Sequence, residues 1–131
     1  MNPEGVELTL SGRTYELVFS LAAVDDICDA LDCKINDIAD KLRDSEAKDF
    51  RKNCMTILEI LVNDAVERHN EDKPEDKWEY VTGLRRRLTS LGFATAFDAM
   101  VEAYIKGFIS KAGEKDEDDI SADPNPARAA G

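Results

Sequence analysis

A hairpin pattern near the amino end limits the folds that this chain can adopt. Apolar residues recur at every second position in segments 6–10 and 15–19, so each segment has one apolar face. Gly12 lies between them, where a tight turn requires a positive φ. An isolated hairpin is only marginally stable in water, so the rest of the chain must cover its apolar face.

Helical spacing follows the hairpin directly and supplies the predicted cover. Ser20 stands at an N-cap position, and Asp25 and Asp26 lie in the early turns, where the helix dipole favours negative charge. The apolar stripe of this helix comprises Leu21, Val24, Ile27, Cys28 and Leu31. After a break near Asp32 and Cys33, the same spacing resumes at Ile35, Ile38, Ala39 and Leu42.

Two longer helices are predicted, from Phe50 to His69 and from about Ala94 to Ser110, and both have wide apolar stripes. Each stripe covers roughly half of the helix circumference, which is more than one packing neighbour requires. Either both helices are sandwiched inside the domain, or part of one stripe lines a groove for a partner helix. Met and aromatic side chains suit such a groove. The candidate partner-binding residues are Phe97, Met100, Tyr104 and Phe108.

Between the two long helices the sequence predicts a loop, a short helix and a second break. Segment 70–76 is charged and contains Pro74, which prevents a helix from continuing. Trp78 and Tyr80 are expected to hold the chain against the domain. A short helix should carry three consecutive arginines at 85–87, paired with local carboxylates, before the break at 89–92.

These elements predict an α+β fold, with an N-terminal two-stranded antiparallel β-hairpin followed by a mainly α-helical domain of four to five helices. This hairpin-plus-helices domain is assigned to residues 1–111. Residues 112–131 contain many charges and a single large apolar residue, Ile120. Such a segment cannot offset its ordering entropy by burial, so it is predicted to be a disordered acidic tail.

Charge and cysteine content narrow the classes of function. A net charge of −11 opposes contact with nucleic-acid phosphates and with anionic membranes, and it favours a basic or aggregation-prone protein partner. No apolar stretch is long enough to span a bilayer, and the amino end lacks the features of a signal peptide. Three cysteines, an odd number, are typical of a protein from a reducing cytoplasm.

The residue chemistry predicts no catalytic residue, no metal site and no cofactor. His69 is the one histidine and is expected to have a structural role. Cys28, Cys33 and Cys54 lack close metal-ligand spacing, and the acidic run at 116–119 lacks the glycine of a calcium loop. A glycine-rich phosphate loop and a serine nucleophile motif are also missing. An enzyme is therefore disfavoured.

The opening of the chain resembles the tail assembly chaperones of long-tailed bacteriophages, prophages and gene transfer agents. The matching residues are LSGRTYEL at 10–17 and FSLAAV at 19–24, followed by Leu31, Ile35 and Ile38. The likeness covers about the first third of the chain. Cys33 stands where members of the family often carry glycine after the first helix.

This resemblance implies a non-enzymatic assembly factor in the host cell cytoplasm. Its partners would be the tape measure protein, which such chaperones keep soluble, and the tail tube protein, which they recruit. The four candidate residues would then serve capture of the tape measure protein or self-association. The alternative from another class is an acidic regulator that mimics nucleic acid and binds a basic protein.

Overall fold

The computed structural model describes residues 5–110 and contains a two-stranded antiparallel hairpin followed by five α-helices. The predicted α+β class and the order of its elements are confirmed, whereas the predicted tail lies outside the described residues. The elements are β1 (Val6–Leu10), β2 (Arg13–Leu17), α1 (Leu21–Leu31), α2 (Ile38–Arg43), α3 (Phe50–Asp72), α4 (Leu84–Arg87) and α5 (Ser90–Tyr104). A 3₁₀ helix (Ile35–Asp37) precedes α2, and a π-helix (Ile105–Ser110) extends α5.

A two-residue turn closes the hairpin. Leu10 pairs with Arg13, which leaves Ser11 and Gly12 as the turn, both with positive φ (51° and 81°). Positive φ at both central residues is the geometry of a type I′ turn, whose twist matches that of the strands. The second strand ends at Leu17, two residues earlier than predicted, because Val6 at the start of β1 is its last pairing partner.

Helix α3 forms the centre of the core. It contacts α1, α2, α4, α5 and β2, so apolar residues around half of its circumference are enclosed by the domain itself. Its buried residues are Cys54, Met55, Ile57, Leu58, Leu61, Val62, Ala65 and Val66. For this helix the wide stripe is therefore explained by internal packing. The helix also runs to Asp72, three residues beyond the predicted end.

A polar junction connects β2, α1 and α3. The Ser20 hydroxyl accepts a hydrogen bond from the Ala23 amide as the predicted N-cap, and it donates to Asp64 on α3 at 2.8 Å. Asp64 also pairs with Arg68, whose guanidinium donates to the Glu16 carbonyl at the end of β2. One carboxylate thus links the start of α1 to the strand that precedes it.

The exposure of one residue and the start of one helix differ from the sequence prediction. Leu21 was placed on the buried stripe of α1, but it is 85% exposed, because it is the first helical residue and the core-facing side begins at Ala23. The break predicted at 89–92 is the beginning of α5. The Thr89 hydroxyl accepts a hydrogen bond from the Gly92 amide and so caps this helix.

Candidate partner-binding surface

The four candidate residues lie along α5 and its π-helical extension, but they differ in exposure. Met100 is fully buried, so it has no surface to offer a partner while the domain is folded. Phe97 is half-buried and packs against Phe50 and Phe93, with ring centroids 5.6 and 6.1 Å apart. Phe97 therefore connects α5 to α3 through Phe50, and the buried Met100 adds no apolar surface at the middle of the helix.

Tyr104 and Phe108 form an aromatic cluster with Phe19. Their rings stack on each other at 4.6 Å, and each meets the Phe19 ring edge-on at 5.6 to 5.7 Å. Both side chains remain half-buried, so part of each ring is accessible. Gly107 lies beside this cluster, where an added Cβ would be 3.6 Å from Phe19. The contact is close but leaves room for a methyl group.

The larger exposed apolar side chains of this region are Ile105 and Ile109. They are 40% and 56% exposed and lie four residues apart within the π-helix, so they face the same side. Both belonged to the predicted wide stripe but were not among its four candidates. We call Tyr104, Ile105, Phe108 and Ile109 the terminal apolar face. Binding of a partner here stays a prediction.

A second arrangement, which sequence reasoning missed, holds segment 78–81 against α3. The Asn63 side chain accepts from the Val81 amide at 2.7 Å and donates to the Val81 carbonyl at 2.9 Å. Asn70 makes the same pair of bonds with Trp78, at 2.8 and 3.1 Å. We call segment 78–81 the strap. The signal in the sequence was two asparagines seven residues apart, which places them on one face of a helix.

Trp78 and Tyr80 hold the strap from its two sides, in the manner predicted for them. The Trp78 ring stacks on His69 at 3.7 Å, meets Tyr15 edge-on and lies 4.4 Å below the Arg13 guanidinium. The Tyr80 hydroxyl donates to Glu67 at 2.5 Å, and this bond raises the pKa of Tyr80. The strap therefore joins the hairpin to α3 and covers its carboxyl-terminal half.

His69 and Cys54 both occupy structural positions. The Nε2–H of His69 donates to the Asp76 carbonyl at 2.7 Å, which closes the loop after α3. Cys54 is fully buried, and burial raises the pKa of its thiol to about 11. Among residues 5–110, no three His, Cys, Asp or Glu side chains are grouped as a metal site requires.

Charged side chains line several grooves on the surface. An acidic groove of about 600 Å³ between α1 and α3 has Arg68 as its one cation. Its carboxylates are Asp26, Glu59, Asp64, Glu67 and Glu71. The arginines at 85–87 were expected to pair with local carboxylates, but within residues 5–110 none of them makes an ion pair. Arg85 instead lines a second groove, near the start of α3.

Comparison with protein-family models, with curated proteins and with solved structures finds no match for this chain. In the part of the chain that the structure describes, no helix has the length and apolar content needed to cross a bilayer.

Proposed function

We propose that this protein is a non-enzymatic tail assembly chaperone that binds the tape measure protein and keeps it soluble. The observation that best supports this proposal is the terminal apolar face. It combines two exposed isoleucines with two partly accessible aromatic rings on an acidic protein. The amino-terminal resemblance to that family is the second support.

The physical argument concerns reversible capture of apolar helices. A small apolar surface binds weakly, because each isoleucine contributes about 1.5–3 kcal/mol when fully buried. A long helical client with many apolar faces can bind many copies of such a protein. The net charge of −11 would then keep the loaded complex from aggregating. Recruitment of tail tube subunits would follow on the same complex.

The proposal can be tested by co-expression with the tape measure protein of the same phage or prophage. Ile105→Asp together with Ile109→Asp places two charges on the exposed part of the terminal apolar face. We expect soluble tape measure protein to fall at least about tenfold, since the contribution of two buried isoleucines is lost. Met100 is unsuitable for this test, because an aspartate there would disrupt the core.

Ile35→Asp is the matched control. Ile35 is 50% exposed in the 3₁₀ helix, so this single substitution makes the same change per residue at a distant site. Circular dichroism must show that each variant keeps its helical content. Equal solubility of the tape measure protein with the wild type and with the double variant would reject the terminal apolar face as the capture surface.

The acidic groove supports a second candidate, a regulator that mimics nucleic acid. Mimicry requires carboxylates spaced along one ordered face, and Glu59, Glu67 and Glu71 meet this condition on α3. A basic DNA-binding protein from the same genome should then be displaced from duplex DNA by this protein. Glu59→Gln with Glu71→Gln should weaken the displacement, whereas Glu75→Gln in the loop should not.

A further inference from the structure

A basic groove lies where the starts of α3 and α5 meet, and its volume is about 490 Å³. Its charged lining residues are Lys48, Arg51, Lys52 and Arg85. No carboxylate lines it, although Glu46 and Asp49 are close in sequence. In a chain with 28 acidic and 17 basic residues, such a concentration of one charge is unusual and needs a physical explanation.

None of the four cations of the basic groove forms an ion pair with another residue in the range 5–110. Arg51 and Lys52 also occupy the first turn of α3, where the helix dipole is positive and acidic residues are preferred. No side chain caps this helix end. An anion in the groove would relieve both sources of repulsion.

The floor of the groove is apolar. Met55 is buried, and Phe50, Leu88 and Phe93 are half-buried beneath the cations. A ligand with both carboxylates and an apolar side chain would therefore match the groove better than a simple inorganic anion. The sequence contains one such segment. Residues 114–120 (EKDEDDI) carry five carboxylates and one lysine, followed by isoleucine.

The distance between the groove and Ser110 indicates whether the segment comes from the same molecule or from another copy. The segment begins after Ser110, at the opposite end of the α5 and π-helical axis from the groove. At about 1.5 Å per residue, Ser110 is about 25 Å from Phe93. The seven residues from Ser110 to Glu117 reach that far only when fully extended, at roughly 3.5 Å each. A second copy can supply the segment without this constraint.

We propose that the basic groove binds the acidic segment 114–120 of a second copy of this protein. The segment follows in sequence the end of the helix whose start lines the groove, so a contact between two copies is head-to-tail and heterologous. Two copies repel each other through their net charge, which restricts association to this complementary contact. This inference does not depend on the proposed chaperone function.

Sedimentation velocity of the full chain over a wide concentration range tests the inference. Wild type should self-associate as its concentration rises. Arg51→Gln with Arg85→Gln should weaken association about tenfold, and so should Asp116→Asn with Asp118→Asn, since each removes two exposed charge pairs. Lys73→Gln with Lys77→Gln is the matched control, because it changes net charge equally outside the groove.

Charge reversal establishes that the contact joins two molecules. A groove-reversed chain (R51E, R85E) and a segment-reversed chain (D116K, D118K) should each fail to self-associate, but their mixture should associate. A monomer at every concentration would overturn the inference, as would equal weakening by the control pair. A monomer whose groove binds inorganic phosphate, or its own segment, would also overturn it.

Discussion

Replacing Asn63 with alanine should release the Val81 end of the strap from α3. The substitution removes two part-buried hydrogen bonds to Val81, at 2.7 and 2.9 Å. Each such bond contributes about 1 kcal/mol net, so the loss is about 2 kcal/mol. Alanine has a higher helix propensity than asparagine, which returns about 0.5 kcal/mol. We therefore expect the free energy of unfolding to fall by about 1.5 kcal/mol.

Two measurements should report this release. A loss of 1 kcal/mol lowers Tm by about 4 °C in a domain of this size, so Tm should fall by about 6 °C. Trp78 is the only tryptophan in the sequence, and its fluorescence serves as a control. Its emission should change little, because Asn70 and His69 still hold this residue. Hydrogen exchange of the Val81 amide should accelerate because its acceptor is lost.

Asn36→Ala is the control, because Asn36 is exposed in the 3₁₀ helix and makes none of these bonds. Its effect should stay within about 0.5 kcal/mol. Asn63→Asp should not recover the loss, since it keeps an acceptor for the Val81 amide but sets a carboxylate oxygen against the Val81 carbonyl and adds a charge beside the carboxylates of the acidic groove. The reasoning is refuted if Asn63→Ala leaves stability and Val81 exchange the same as in the Asn36 control.

Three further predictions follow from the structure. Asp32 ends α1 with φ 51° and ψ 55°, so Asp32→Gly should raise the free energy of unfolding, measured by urea denaturation, by about 1 kcal/mol. Asp29→Gly within the helix should instead lower it by about 0.3 kcal/mol, because aspartate is itself a poor helix former. Met100→Ala should lower the free energy of unfolding by about 2–5 kcal/mol in the same assay, because it leaves a cavity in the core. Ile109→Ala should lower it far less, because that side chain is 56% exposed. The Cys54 thiol has its pKa raised from 9.0 to about 11 by burial, so the folded state retains a proton that the unfolded state loses. The stabilising contribution of the protonated Cys54 thiol should be complete below pH 9 and should be lost as the pH rises towards 11. Denaturation experiments across that range, with a Cys54→Ala chain for comparison, can measure this loss.

The sequence was sufficient for elements whose signals are local. Apolar residues at every second position on both sides of Gly12 predicted the hairpin, and Ser20 was correctly identified as the cap of α1. Thr89 carried an equally local capping signal. It was interpreted as part of a break, because Gly92 follows and glycine usually ends helices rather than lying in their first turn.

Contacts between distant residues could not be predicted from periodicity. The wide stripe predicted for α5 includes Met100 and Ile109 alike, yet one is buried and the other is more than half exposed. Which part of a stripe is covered depends on where Phe19 and Phe50 lie in space. The two asparagines that hold the strap look like ordinary polar residues of a helix until their backbone partners are located.

The π-helix at Ile105–Ser110 determines which changes of chain length this end of the molecule tolerates. A π-helical turn holds roughly one residue more than an α-helical turn. Deleting a single residue before Phe108 would let α-helical winding continue through the segment, with Phe108 pointing in nearly the same direction. The contact between Phe108 and Phe19 would therefore survive such a deletion. A one-residue insertion would instead turn Phe108 away from Phe19 and should alter the outer surface far more.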